Sequence, residues 1–180
     1  MRFLWDQQRY RETLLKYGVA NFPPMTCTIR PADFDDPALE DFLRAHLADM
    51  APHSPKESQH ALDMAALRQP GVRLWVAWHG RRIAGTSALA VLEPGHEELK
   101  SMRTEPELRG RGIASALLNH VLADARARHV TRISLETGSM EFFAPARALY
   151  ARHAFDPCPP FGSYKEDPYS SYMTRAVMAA

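Results

Sequence analysis

The stretch from Leu108 to Leu118 reads LRGRGIASALL and places two arginines and two glycines directly before a run of Ala and Leu. The first N–H groups of a helix have no internal partner, and the helix dipole makes that end electropositive. Gly110 and Gly112 carry no Cβ, so a bulky anion can come close to the backbone. Arg109 and Arg111 add formal positive charge. Such an end suits a phosphate or pyrophosphate. An ordinary loop-to-helix junction with two solvated arginines would have the same composition.

Two nucleotide-binding motifs compete for this stretch. A Walker A loop requires Gly-Lys-Ser/Thr, and no lysine is present here. A dinucleotide fold is nearer the mark. Gly110-x-Gly112-x-x-Ser115 almost fits its glycine fingerprint, and Glu136 lies 24 residues after Gly112. The third glycine is missing, however, and EPELR separates the preceding strand from the glycines, where a dinucleotide turn is tight.

The elements that must position this loop are legible as alternating patterns. TCTIRP (26–31) predicts a first strand. Asp36 and Pro37 supply an N-cap and a first helical position for a helix over 37–49. A second helix is expected over 57–68, ending before Pro70-Gly71. Val72, Leu74, Val76 and Trp78 alternate, and a turn near Gly80 leads into RIAGTSALAVL, so 72–92 reads as a hairpin. EELKSMRT (97–104) is a fourth strand, 112–128 a helix, RISLET (132–137) a fifth strand, 144–154 a short helix and 170–177 a last strand. Hairpins followed by a strand–helix–strand unit imply a mixed sheet with helices on both faces.

Composition bounds the rest. A chain of 180 residues with 46% hydrophobic residues can bury one sizeable core. A formal net charge of +1 gives no global push toward nucleic acid or membrane, so an anion site must be local. Two widely spaced cysteines, Cys27 and Cys158, make neither a disulfide framework nor a zinc set, which favours a cytoplasmic setting. His46, His53 and His60 recur every seven residues, but Pro52 and Pro55 interrupt any common helix, so no metal site is expected. Residues 1–24 read separately. Phe3, Tyr10, Leu14 and Tyr17 share a helical face before Gly18, and NFPPM follows as a linker. An amphipathic helix there would dock on the domain (25–180) or on a second subunit, as in a homodimer. Met25 is an alternative start.

The order ELKSMRTEPELRGRGIASALL, then RISLETG, then APARALYARHAF resembles the GNAT superfamily of acyl-CoA-dependent N-acetyltransferases. Arg109-x-x-Gly112-x-Ala114 matches that family's pyrophosphate loop, and the likeness covers about residues 27–178. SPKESQHAL, LETGSMEFFAPARALY and CPPFGSYKEDPYSSYM resemble in particular the bacterial YsnE-type branch. The resemblance implies a GNAT fold of about six to seven strands, mostly antiparallel, with the fourth and fifth strands splayed for coenzyme A. Acetyl-CoA would be the acetyl donor, with no metal. Its pyrophosphate would meet Arg109, Gly110, Arg111, Gly112, Ile113, Ala114 and Ser115. The backbone of Met102, Arg103 and Thr104 would pair with the pantetheine arm and offer an N–H to the thioester carbonyl.

The resemblance also proposes roles in catalysis. Tyr150 stands where the family carries a tyrosine that assists the leaving thiolate, and a partly buried core tyrosine is the plainer alternative. Glu98 stands where several members carry a general base, against an exposed strand-end carboxylate. Glu136 is a second candidate. The acceptor side would draw on Glu57, Ser58, His60, Arg103 and the aromatic loop Phe161, Tyr164 and Tyr169. Arg103 could bind a substrate carboxylate or pair with Glu98 or Glu136. Two positions depart from the pattern. Ala154 replaces a glycine at a place that often takes positive φ, which suggests altered geometry, and Phe143 replaces an asparagine that touches pantetheine. The reading is an N-acetyltransferase for a small amine or amino-acid-like acceptor. Acetylation of a protein amine, or a non-catalytic CoA-binding module, are the alternatives.

Overall fold

Strand alternation sorts the side chains onto two faces of one sheet. In β2 (Val72–His79), Leu74 and Val76 join one buried cluster while Trp75, between them, joins another. The computed structural model describes residues 26–53, 55 and 62–177. The expected N-terminal helix, and Glu57, Ser58 and His60, therefore lie outside the described residues. β1 (Thr28–Pro31), β2, β3 (Arg82–Glu93), β4 (His96–Thr104), β5 (Arg132–Gly138), β6 (Asp156–Pro157) and β7 (Ser170–Ala176) form one seven-stranded sheet. Its order is β1-β2-β3-β4-β5-β7-β6, and only β4 and β5 pair in parallel. That order is not a dinucleotide fold.

α1 (Pro37–Met50) opens as the sequence predicts, with the Asp36 carboxylate accepting from the Ala38 N–H at 2.9 Å. It buries Leu39, Phe42 and Leu43 against Leu74, Val76 and Ala88. Of the second expected helix, 57–68, residues 57–61 lie outside the described residues. Of the rest, α2 (Met64–Leu67) is helical and starts where Asp63 caps it through the Ala66 N–H at 2.8 Å. The opposite face is covered by α3 (Ile113–Ala127), whose Leu117, Leu118, Val121, Leu122 and Ala125 repeat at helical spacing and are all buried. α4 (Ala144–Arg152) adds Leu149 and Tyr150 to the same core as Ile133 and Leu135 of β5. Gly85 of β3 permits this packing: a Cβ there would lie 2.6 Å from the Arg103 carbonyl oxygen and 2.9 Å from Leu117 Cδ1. Arg128 forks both oxygens of the buried Glu97 and also reaches Asp124 at 2.7 Å, fixing the end of α3 to the start of β4. No helix among the described residues is long and apolar enough to cross a membrane.

Ala154 corrects one expectation. It adopts φ 57°, so the left-handed turn after α4 survives without its glycine, as does the Phe155 N–H to Tyr150 O bond at 3.1 Å. An L-residue in this region costs roughly 1–2 kcal/mol, part of which glycine returns as unfolded-chain entropy. Ala154 is exposed, so replacing it loses no packing. Ala154→Gly should therefore raise stability by about 0.5–1 kcal/mol, read as a higher urea midpoint at unchanged slope. An unchanged or lower midpoint would show that the turn stores no such strain.

Candidate active site

Parallel pairing between β4 and β5 runs from His96 opposite Arg132 to Leu99 opposite Leu135 and then stops. Both strands continue, β4 to Thr104 and β5 to Gly138, so a gap opens between them. On its other edge β4 stays paired, with Arg103 opposite Thr86 and Thr104 opposite Gly85. A register shift between Thr86 and Ala88 marks a bulge, at which Ser101 takes φ 52°. Among the described residues, backbone groups on the β5 side of β4 beyond Leu99 thus have no strand partner, as a chain-like ligand laid in the gap would require.

At the far end of β4 the chain makes a short turn over Pro106–Leu108 and enters α3. Gly110 (φ 76°) and Gly112 (φ 82°) are both left-handed, and Gly112 is the N-cap. Only glycine takes this path freely, which explains both glycines. The Ala116 N–H closes the first turn onto the Gly112 carbonyl at 2.9 Å. The N–H groups of Ile113, Ala114 and Ser115 therefore precede the helix's own ladder. A Cβ at Gly112 would meet nothing within 4 Å, so the space beside Gly112 is open. The residues fit a pyrophosphate.

Glu98 is not the exposed strand-end carboxylate that sequence reasoning allowed. Its side chain is 8% exposed, and its Oε1 accepts from Lys100 Nζ at 2.8 Å and from the Tyr164 hydroxyl at 2.6 Å. Lys100 Nζ also donates to the Tyr164 oxygen at 2.9 Å. Phe161 and Tyr172 pack on the Tyr164 ring, with centroids 5.1 and 5.5 Å away. Burial, and then the Glu98 charge, push the Tyr164 phenol well above its usual range, so it remains a donor. Tyr169 stands apart and exposed.

Glu136 lies further along β5 and accepts from Ser170 Oγ at 2.7 Å. Tyr150 is buried beside Phe155 in the core, and its hydroxyl makes no protein hydrogen bond among the described residues. Burial raises its pKa, and the Glu136 charge adds to the rise. Arg103 pairs with neither Glu98 nor Glu136. Its Nη2 meets Asp49 Oδ2 at 3.1 Å, and its guanidinium lies over the Phe42 ring at 4.8 Å. Its Nε and Nη1 are sealed from solvent and have no hydrogen-bond partner among the described residues. Burial lowers the His46 pKa to about 4, helped by the Arg103 charge, so His46 is neutral at pH 7. Phe143 lies with its ring against Gly138, where a Cβ would fall 2.2 Å from Phe143 Cδ2. Phe142 beside it stacks on His53 at 3.7 Å. No group of His, Cys, Asp and Glu able to hold a metal occurs among the described residues.

Sequence reasoning missed Lys100 and Asp49. Lys100 had a signal, since it lies two residues from Glu98 on a strand and so shares its face. Asp49 had none, because its contact with Arg103 joins a helix to a distant strand.

Residues 37–155 match the Acetyltransferase (GNAT) family. The chain is 43% identical over 147 residues to the uncharacterized N-acetyltransferase YedL of Escherichia coli, spanning 82% of this chain and 92% of that protein. It is 42% identical over 149 residues to the uncharacterized N-acetyltransferase YsnE of Bacillus subtilis, spanning 83% and 99%. The fold superposes on a Bacillus subtilis acetyltransferase solved in complex with CoA, at a TM-score of 0.63 and 15% identity, over 85% of this chain and 100% of that one.

Proposed function

The chain belongs to the GNAT acetyltransferase family, an acyltransferase family that draws on acetyl-CoA, and from that premise we propose direct acetyl transfer to the amine of a small, amino-acid-like molecule. The observation that carries this reading is the gap between β4 and β5, with the glycine-capped start of α3 at one end and the buried carboxylate of Glu98 at the other. In this reading the N–H groups of Ile113, Ala114 and Ser115, with Arg109, Gly110, Arg111 and Gly112, hold the pyrophosphate. The open edge at Met102, Arg103 and Thr104 holds the pantetheine arm. Bound there, acetyl-CoA supplies an acetyl group activated as a thioester.

The protein's own groups then have three tasks. Glu98 takes the proton from the incoming ammonium, leaving a neutral amine to form the new nitrogen–carbon bond. An N–H of the β4 edge donates to the thioester oxygen, a contact that in other enzymes is worth about 2.7–4 kcal/mol in the transition state. The Tyr150 hydroxyl donates to the sulfur as the carbon–sulfur bond breaks, and the second proton that the nitrogen sheds on becoming an amide passes to the departing thiolate. A mixture of free amino acids, simple amines and peptides, incubated with acetyl-CoA and resolved by mass spectrometry, tests the acceptor class. Acetylated amino acids are expected, and acetylation confined to peptides would favour a protein substrate instead.

Tyr150 carries its own test. Tyr150→Phe keeps the ring and removes only a hydroxyl that bonds nothing else among the described residues. Turnover should fall at least about tenfold, equivalent to roughly 1.4 kcal/mol of transition-state stabilisation, with acetyl-CoA affinity near wild type. An acyl donor with a more acidic thiol should recover part of the loss. A defect that ignores the leaving-group pKa would reduce Tyr150 to a packing residue.

A further inference from the structure

Glu98, Lys100 and Tyr164 close a ring of three hydrogen bonds, and both donors to the carboxylate end on the same oxygen. Lys100 Nζ reaches Oε1 at 2.8 Å and the Tyr164 hydroxyl reaches it at 2.6 Å, while Nζ and the phenol oxygen lie 2.9 Å apart. No hydrogen bond to Oε2 is found among the described residues. Unlike the unpartnered nitrogens of Arg103, Oε2 is not sealed from solvent. The asymmetry has two independent sources in the chain. Lys100 shares the face of Glu98 by strand periodicity, whereas Tyr164 arrives 66 residues later from the loop before β7. That loop is itself anchored, since the Tyr172 hydroxyl donates to the Lys165 carbonyl at 2.8 Å and Phe161 packs edge-on against Tyr164.

We propose that Lys100 and Tyr164 are positioning residues for Glu98: they tether Oε1 and so present Oε2 alone to the acceptor amine. The proposal rests on the reading of Glu98 as the base. The physical case is one of geometry. A free carboxylate rotates about its last torsion and offers either oxygen, whereas one held at a single oxygen by two short donors is fixed in orientation. Proton transfer requires the accepting atom within hydrogen-bond reach of the amine, so fixing which oxygen faces the gap acts on turnover. An ion pair that only stabilised the fold would have no reason to leave one carboxylate oxygen reachable. A buried pair gains most when every lone pair is satisfied.

The test is a double-mutant cycle on steady-state kinetics. Lys100→Met and Tyr164→Phe should each lower kcat about tenfold or more, with the acetyl-CoA KM within about twofold of wild type. Lys100→Arg, which keeps a donor and a charge, should recover most of the loss. In a Glu98→Gln background Lys100→Met should change kcat by less than about twofold, because a residue acting only through Glu98 has nothing left to position. Losses that multiply in the Glu98→Gln background would overturn the proposal, as would a defect in acetyl-CoA KM alone or no rescue by arginine. If Lys100→Met fails to fold, Tyr164→Phe carries the same cycle, since it keeps the packed ring. Full turnover in Glu98→Gln itself would instead remove the reading of Glu98 as the base, and this proposal with it. Normal turnover in Lys100→Met alongside a dead Glu98→Gln would remove the proposal and leave that reading standing.

Discussion

Glu98→Gln lowers turnover by roughly 10²–10⁴-fold, the range expected when a general base is removed, and leaves acetyl-CoA affinity close to wild type. The amide keeps the volume of the carboxylate, and its carbonyl oxygen can still accept from Lys100 and Tyr164 at the position of Oε1. Packing should therefore survive, and the loss should fall on the proton transfer. The pH dependence gives the sign. An acceptor amine is an ammonium at neutral pH and needs a base, whereas at high pH it is already neutral and the base becomes dispensable. The gap between variant and wild type should narrow as pH rises toward the amine's own pKa. A loss of equal size at every pH would assign Glu98 to binding or structure.

Gly112→Asp weakens acetyl-CoA binding by about a hundredfold, equivalent to roughly 2.8 kcal/mol. The position is left-handed at φ 82°, which aspartate tolerates better than most residues, and a Cβ there meets nothing within 4 Å. The variant should thus fold. Its carboxylate would sit at the electropositive start of α3 and satisfy the donors that the pyrophosphate needs. It would also repel the phosphates directly. Calorimetric titration with acetyl-CoA reads the effect, and unchanged affinity would move the pyrophosphate away from this loop.

The glycine turn before α3 was the most legible part of the chain, because glycine before an Ala/Leu run reports a local backbone constraint that survives any tertiary context. The strands of the sheet were legible for a similar reason: alternation in VRLWVAWH records burial directly. What failed to show were features set by contacts across the fold. The adjacent Glu97 and Glu98 look equivalent in sequence, yet strand periodicity sends one to Arg128 at the end of α3 and the other to Lys100 and Tyr164. Arg103 had two plausible carboxylate partners, Glu98 on its own strand and Glu136 on β5, and took a third, Asp49, from a helix. The two-residue β6 carries no periodicity to read, and the bulge at Ser101 leaves no mark in residue type. Ala154 misled in the opposite direction, since the surrounding turn holds it at a φ that its side chain disfavours.

The central claim is that acetyl-CoA bound in the β4–β5 gap gives its acetyl group to an amine. Release of the CoA thiol, followed continuously while a panel of amines and amino acids is added one at a time, tests it most directly. Release should depend on the amine, saturate with it and match the N-acetyl product mole for mole. Acetyl-CoA that binds tightly but yields no amine-dependent thiol with any member of the panel would contradict it and leave a CoA-binding module in its place.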